Sequence, residues 1–251
     1  MSKTLKIPIL YGSQTGNSEQ AAQNFAAKLP AELSTSTLTV TSEAIQLDDF
    51  LEECKANWSQ LCVIICSSYG VGQAPLGAWK FRELCDFILE GKGDGEKEFM
   101  KGLQYAMLGL GDSKYTTFFL NPTAIDGALS KAGARRVGSL GKADASGKED
   151  KVQAKVIDKW CEDIIPDLKR AVKEIDASLN EGKETEVKDM LEKARLGTGA
   201  ICKQIYDTWD DKPPVKKGGG GNTDPIIFFA LFATIVVPVL LAVIINAVLN
   251  K

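Results

Sequence analysis

Histidine does not occur anywhere in the 251 residues of this chain. Its absence removes Ser-His-Asp and Cys-His nucleophiles, a histidine general base, and any histidine-ligated metal or haem. The cysteines Cys54, Cys62, Cys66, Cys85, Cys161 and Cys202 include no C-x-x-C pair, which excludes zinc-finger and thioredoxin-like readings. Three of them lie in or beside apolar runs, where a free thiol behaves as a small hydrophobe, and this suits a reducing compartment. An excess of positive charge is missing too. The net charge is −3 and no basic stripe is visible, so nucleic acid is not expected as a partner. The N-terminus, MSKTLKIPILYG, lacks the apolar length and small-residue cleavage site of a signal peptide.

A long apolar run occurs once, near the end. The 24 residues from Ile226 to Leu249, IIFFALFATIVVPVLLAVIINAVL, carry no charge, and a bilayer core needs roughly 20 residues of helix. Residues 225–249 therefore read as a single-pass transmembrane tail anchor. Pro238 and Asn246 are tolerable within it. Lys212, Lys216 and Lys217 near the membrane entry agree with a cytosolic N-terminal head, and the endoplasmic reticulum is the preferred membrane. Residues 210–224, DDKPPVKKGGGGNTD, read as a flexible tether.

In the head, apolar runs alternate with helical patterns. Strands are expected at Leu5–Leu10, Thr37–Thr41, Leu61–Cys66, Leu103–Leu108 and Arg135–Leu140. Between them the periodicity predicts helices over Ser18–Leu29, Asp48–Trp58 with Asp48 as its cap, Trp79–Leu89, and Thr123–Ala132 ending at Gly133. One long helix of about 25 residues is expected from Lys148. This alternation predicts an α/β fold, a doubly wound five-stranded parallel sheet covered on both faces, over residues 1–180. Residues 181–209 form an extra helical segment, in which Val187, Met190, Leu191 and Ala194 fall on one apolar face. Packing of that face on the head is preferred over a docking helix for a partner.

In such folds ligands sit beyond the carboxyl ends of the strands, and three loops there are informative. After the first strand comes YGSQTGNSEQ, residues 11–20, which has no lysine or arginine. Ser13, Gln14, Thr15, Gly16, Asn17 and Ser18 offer hydroxyl, amide and backbone N–H donors where a helix begins, a place that favours anions. Neither G-x-x-x-x-G-K-[ST] nor G-x-G-x-x-G is present, so the loop suits a phosphate held by neutral donors or else a capped turn without ligand. After the third strand comes SSYGVGQAP, residues 67–75, and after the fourth GLGDSKYTTFF, residues 109–119. Each is bent by glycines and presents a tyrosine, which points to a planar ring held between aromatic side chains.

The motifs YGSQTGNSE, SSYGVGQAP, YAMLGLGDSKYTTF and GARRVGSLGKAD, in this order over residues 5–165, resemble the flavodoxin-like FMN-binding domain of the diflavin reductases, the cytochrome P450 reductase family. The resemblance implies strand order 2-1-3-4-5 and FMN as cofactor. It places Ser13 to Ser18 on the phosphate loop, and Ser68, Tyr69, Gly70 and Gly72 on the loop facing one side of the isoalloxazine. Leu110, Gly111, Asp112, Tyr115 and Phe118 match the loop whose tyrosine stacks on the other side, and Asp144 matches an aspartate near the flavin and ribityl chain.

The departures carry meaning as well. Where the family commonly reads Tyr-Gly-Glu-Gly-Asp, this chain has Tyr69-Gly70-Val71-Gly72-Gln73, and where it often reads Tyr-x-His-Phe-Asn, this chain has Tyr115-Thr116-Thr117-Phe118-Phe119. Two acids that would dock basic haem proteins are thus missing, and a less negative flavin potential than in the acidic relatives is expected. No FAD- or NADPH-binding domain is expected after the head. The resemblance then implies a membrane-tethered FMN electron-transfer protein, reduced by a separate NAD(P)H-dependent flavin reductase and serving a membrane-bound acceptor, a haem protein or similar. Two other readings compete. One is an NAD(P)H:quinone-type FMN oxidoreductase, which Tyr69 and Tyr115 would obstruct; the other is a non-redox flavodoxin-like interaction module.

Overall fold

The computed structural model describes residues 3–52, 56–92 and 97–205. Its central strands are β1 (Lys3–Gly12), β2 (Leu38–Gln46), β3 (Leu61–Ser67) and β4 (Gln104–Gly111), with two short strands, β5 (Arg135–Arg136) and β6 (Gly141–Asp144), both pairing with β4. All pairings are parallel, in the order β2-β1-β3-β4-β5. The expected order therefore holds, with one correction. The single strand expected at Arg135–Leu140 is broken, because Gly138 adopts φ +66° and turns the chain between β5 and β6.

The sheet is buried on both faces, and alternate side chains show it. Cys62, Ile64 and Cys66 of β3, with Tyr105 and Met107 of β4, enter one apolar cluster. Leu61, Val63 and Ile65, with Ala106, Leu108 and Leu110, enter the other. A strand covered on both sides reads as a continuous apolar run rather than an alternating one, which explains LCVIIC. The second cluster is covered by α1 (Asn17–Leu33), α5 (Gln153–Asp163) and α6 (Ile165–Asn180) through Phe25, Leu29, Trp160, Leu168 and Val172. The first is covered by α2 (Leu47–Glu52), α3 (Trp79–Glu90), α4 (Leu120–Lys131) and α7 (Glu184–Ile205).

Three helical expectations need correction. The long helix from Lys148 is two helices, α5 and α6, preceded by a short 3-10 turn at Glu149–Lys151. Pro166, in the first turn of α6, has no N–H to continue the preceding helix and restarts it instead. The helix expected over Asp48–Trp58 is described over Leu47–Glu52 as α2, and Trp58 lies outside any helix, its ring 4.9 Å from that of Phe50. Asp48 does not cap its own helix. Its buried carboxylate accepts the backbone N–H groups of Trp79 (2.9 Å) and Phe81 (3.0 Å), so it caps α3 from across the core. Burial raises its pKa above the ordinary carboxylate value, while those N–H groups pull the other way.

The apolar face expected on α7 lies on the head. Met190 and Leu191 pack against the first cluster and Ala194 is buried within it. The buried Trp58 indole N–H donates to Thr198 Oγ1 at 3.0 Å, and that hydroxyl donates to the Ala194 carbonyl at 2.8 Å. Among the described residues no helix is long and apolar enough to cross a membrane. The tether at 210–224 and the apolar run at 225–249 lie outside the described residues, as does Cys54.

Two stability predictions follow from these buried partners. Thr198→Val strands the Trp58 N–H and is expected to cost about 1–3 kcal/mol, read from urea unfolding. Asp48→Asn tests the sign of a pH effect: a raised folded-state pKa means that the fold binds this proton more tightly than the unfolded chain does. The contribution of Asp48 is therefore fully present at acid pH and lost as pH rises through the folded pKa, and unfolding midpoints of the Asn variant should lack that decline.

Candidate functional site

The loops after β1, β3 and β4 meet beyond the carboxyl end of the sheet and enclose a cleft of about 310 Å³. Its walls include Ser13, Gln14, Thr15, Asn17 and Ser18 from the first loop and Ser68, Tyr69 and Gly70 from the second. Leu110, Gly111, Asp112, Tyr115 and Phe118 come from the third. Three expected residues are not walls. Gly16 takes φ +91° as the N-cap of α1, where its N–H donates to Ser13 Oγ at 3.1 Å. Gly72 (φ +88°) shapes the tight turn in which Tyr69 bridges to Gln73. Asp144 ends β6, and its carboxylate accepts the N–H groups of Ser113 and Ser146, each at 2.9 Å. These three residues set loop geometry.

The loops are tied to one another as well as to the sheet. Ser13 N–H donates to the Leu76 carbonyl (3.1 Å), and Leu76 N–H donates to Gln14 Oε1 (3.2 Å), so the first loop is pinned to the second. Ser68 N–H reaches the Leu110 carbonyl at 2.8 Å. The fully buried Asn121, in the first turn of α4, donates through Nδ2 to the Ser67 carbonyl (2.9 Å), and its backbone N–H donates to Ser68 Oγ (3.2 Å). Phe119, at the N-cap of α4, sits at φ +68°, a region unfavourable for a large side chain. Its ring lies against Gly109, where an added Cβ would overlap it.

The electrostatics are uneven. The first two loops carry no charge from 7 to 18 or from 61 to 79. Charge enters with Asp112, whose carboxyl is held below the usual range by the Ser146 hydroxyl and by the Lys114 N–H at 3.0 Å. Burial works against ionising Asp144, but the Ser113 side chain first, and then the N–H groups of Ser113 and Ser146, outweigh that and lower its pKa as well. The Cys66 thiol behind the cleft is pushed up to about 12 by burial, which rules it out as a nucleophile at neutral pH.

Sequence reasoning missed four wall residues, Ser67, Thr117, Ala145 and Gln153. Ser67 and Thr117 lie inside motifs already singled out, and the alternation of a strand end could have flagged Ser67. Gln153 had no signal. It opens α5, and its Nε2 reaches the carbonyls of Gly111 (3.3 Å) and Ala143 (3.1 Å) while its Oε1 accepts from Asn17 Nδ2 (3.1 Å).

Residues 9–160 match the flavodoxin family. The chain belongs to it. Methionine synthase reductase of Caenorhabditis elegans is 35% identical over 136 residues, 54% of this chain and 18% of that protein. NADPH-dependent diflavin oxidoreductase 1 of Schizosaccharomyces pombe is 31% identical over 166 residues, 66% of this chain and 26% of that protein. NADPH–cytochrome P450 reductase of Saccharomyces cerevisiae is 36% identical over 136 residues, 54% and 18%. The chain thus spans about a quarter or less of the length of these relatives, over their flavodoxin portion. A cysteine-to-serine mutant of flavodoxin from Pseudomonas aeruginosa shares the fold, with a TM-score of 0.50 at 22% identity, over 67% of this chain and 99% of the flavodoxin.

Membership makes FMN the cofactor of this flavodoxin-like electron-transfer domain, and the cleft fits it. The Oγ atoms of Ser18 and Ser67 are buried with no hydrogen-bond partner in the protein, and both residues line the cleft. Buried hydroxyls are rarely left unsatisfied without a ligand or water to complete them. The N-terminus of α1 beside Ser18 has no side-chain cap, so its N–H groups are open to an anion. Replacing Gln153 with Leu removes the link from Asn17 to the strand ends, and about tenfold weaker FMN retention is expected by fluorescence titration.

Proposed function

We propose that this flavodoxin-family chain is an electron carrier, its flavin reduced by a separate NAD(P)H-dependent reductase and reoxidised by an acceptor at a membrane, to which the apolar run at 225–249 tethers it. The observation that carries the reading is the cleft itself, in which an uncharged donor loop with an orphan buried hydroxyl shares one cavity with two half-exposed tyrosines. FMN, when bound, supplies the exchange of one or two electrons.

The chain's own residues do the rest. Ser13, Thr15, Asn17 and Ser18 present neutral donors to the phosphate, so the loop adds no formal positive charge. Tyr69, 49% exposed, and Tyr115, 59% exposed, both border the cleft and keep the mouth open to a docking partner while covering ring faces. This cover argues against direct access by a nicotinamide, and with it against the quinone-reductase reading. The names of the diflavin and cytochrome P450 reductases fit a carrier that works beside flavin reductases and haem acceptors. Support for the membrane tether comes from the uncharged 24-residue run and the glycine-rich segment before it. Such a tether raises the effective concentration of head and acceptor without tight binding.

Purification of the full chain and its visible spectrum test the reading: a yellow protein is expected, and a colourless one that ignores added FMN overturns it. Tyr115→Ala should weaken FMN retention by about 1–2 kcal/mol, about 5- to 30-fold in Kd. Val71→Glu returns an acid beside the cleft and should lower the flavin potential by about 10–40 mV at low ionic strength, read by potentiometric titration.

A further inference from the structure

We propose that an apolar crescent bordering the cleft is the docking surface for a redox protein whose own cofactor edge is ringed by uncharged, apolar side chains. The proposal rests on the flavin reading above and names the kind of partner that reading requires.

Most of the large apolar side chains exposed among the described residues gather here: Tyr69, Val71, Leu76, Trp79, Tyr115 and Leu120. Val71 is 72% exposed, the most of any of them. The others, Leu89, Val152 and Leu196, are scattered singly over separate elements, as surface hydrophobes ordinarily are. The six are linked. Leu120 covers Gly72, where an added Cβ would meet its Cδ2 at 2.6 Å, and Thr117 Oγ1 donates to the Gly70 carbonyl at 3.4 Å. Leu76 is hydrogen-bonded to the first loop, and Tyr69 and Tyr115 are themselves cleft walls. The crescent therefore continues into the place where an electron must enter or leave.

Charge is sparse in the segments that build it. Residues 7–18, 61–79 and 115–125 hold no Asp, Glu, Lys or Arg, although a quarter of the chain is charged. Asp112 and Lys114, of opposite sign, share the third loop with Tyr115, whereas Asp144 and the run Lys148–Lys151 belong to other segments. A contact face depleted of charge and enriched in Trp, Tyr and Leu is the composition of an interface core. Complementarity then selects a partner without a charged collar, because a collar of either sign would lose water here and meet little counter-charge. Docking rests on apolar burial, which salt does not screen.

The test is stopped-flow mixing of FMN-loaded, fully reduced full-length protein with an oxidised blue-copper protein whose exposed copper-ligand edge is ringed by apolar side chains, used as a probe acceptor. Each transfer takes one electron from the flavin and reduces one Cu(II) to Cu(I), with the flavin's protons released to solvent. We expect the rate constant to change less than about threefold between about 20 and 500 mM salt. Val71→Ser combined with Trp79→Ser should lower it about fivefold at both salts with FMN content unchanged, and Val71→Ser alone should act in the same direction should the pair fail to fold. Val71→Glu should impose a salt dependence that the parent lacks. A parent rate that falls more than about tenfold with salt, or serine variants that match the parent, would overturn the proposal. So would a dimer, seen by sedimentation velocity, that the serine variants dissolve, since the face would then belong to a second copy. Acrylamide quenching that falls in the parent more than in the Trp79→Ser chain when each enters phosphatidylcholine vesicles would give the face to lipid instead. Failure to retain FMN is a separate outcome and sinks the flavin reading rather than this one.

Discussion

Burial of β3 and β4 on both faces is the constraint from which the rest of this molecule follows. Strands wrapped by helices on each side have no solvent-facing surface on which polar side chains can be placed. Chemistry is then confined to the ends of the strands, where the chain leaves the sheet and polar groups meet water. The loops after β1, β3 and β4 leave at the same end because all pairings are parallel. Hydrogen bonds donated by Ser13, Ser68 and Asn121, and one accepted by Gln14, then fuse them into one rim.

Much of this was legible in the sequence, for a physical reason. Doubly buried strands leave uninterrupted apolar runs, and the loops that follow them must carry the glycines and polar donors that the strands cannot. The expected site residues therefore converge on one cleft or on the turns that shape it. Elements that depend on contacts remote in sequence were hidden. Asp48 caps a helix that begins 31 residues later, and no local pattern distinguishes that from capping its own. Gln153 touches the cleft because α5 happens to start beneath β4 and β6, and a glutamine at a helix start has many ordinary explanations. The break in the last strand turned on one glycine, Gly138, whose positive φ is a property of the folded chain.

The site combines neutrality with rigidity. A phosphate held by hydroxyl, amide and backbone donors retains its negative charge as a component of the local field, unlike one neutralised by lysine or arginine. On the other side, α7 adds a further layer to the core beneath α3, and its buried Thr198 completes the hydrogen bonding of Trp58. The core of the head thereby extends past the flavodoxin match at 9–160, to Ala194 and Cys202.

Phe119 links these two properties. A buried phenylalanine in left-handed backbone geometry carries a local penalty of about 1–3 kcal/mol, and it is held there by a ring seated on Gly109 and 5.5 Å from the ring of Phe118. The third loop cannot relax from this shape without withdrawing that ring from the interior. Aperture and interior are consequently one cooperative element, so that heat or denaturant that loosens the interior is expected to undo the third loop in the same transition.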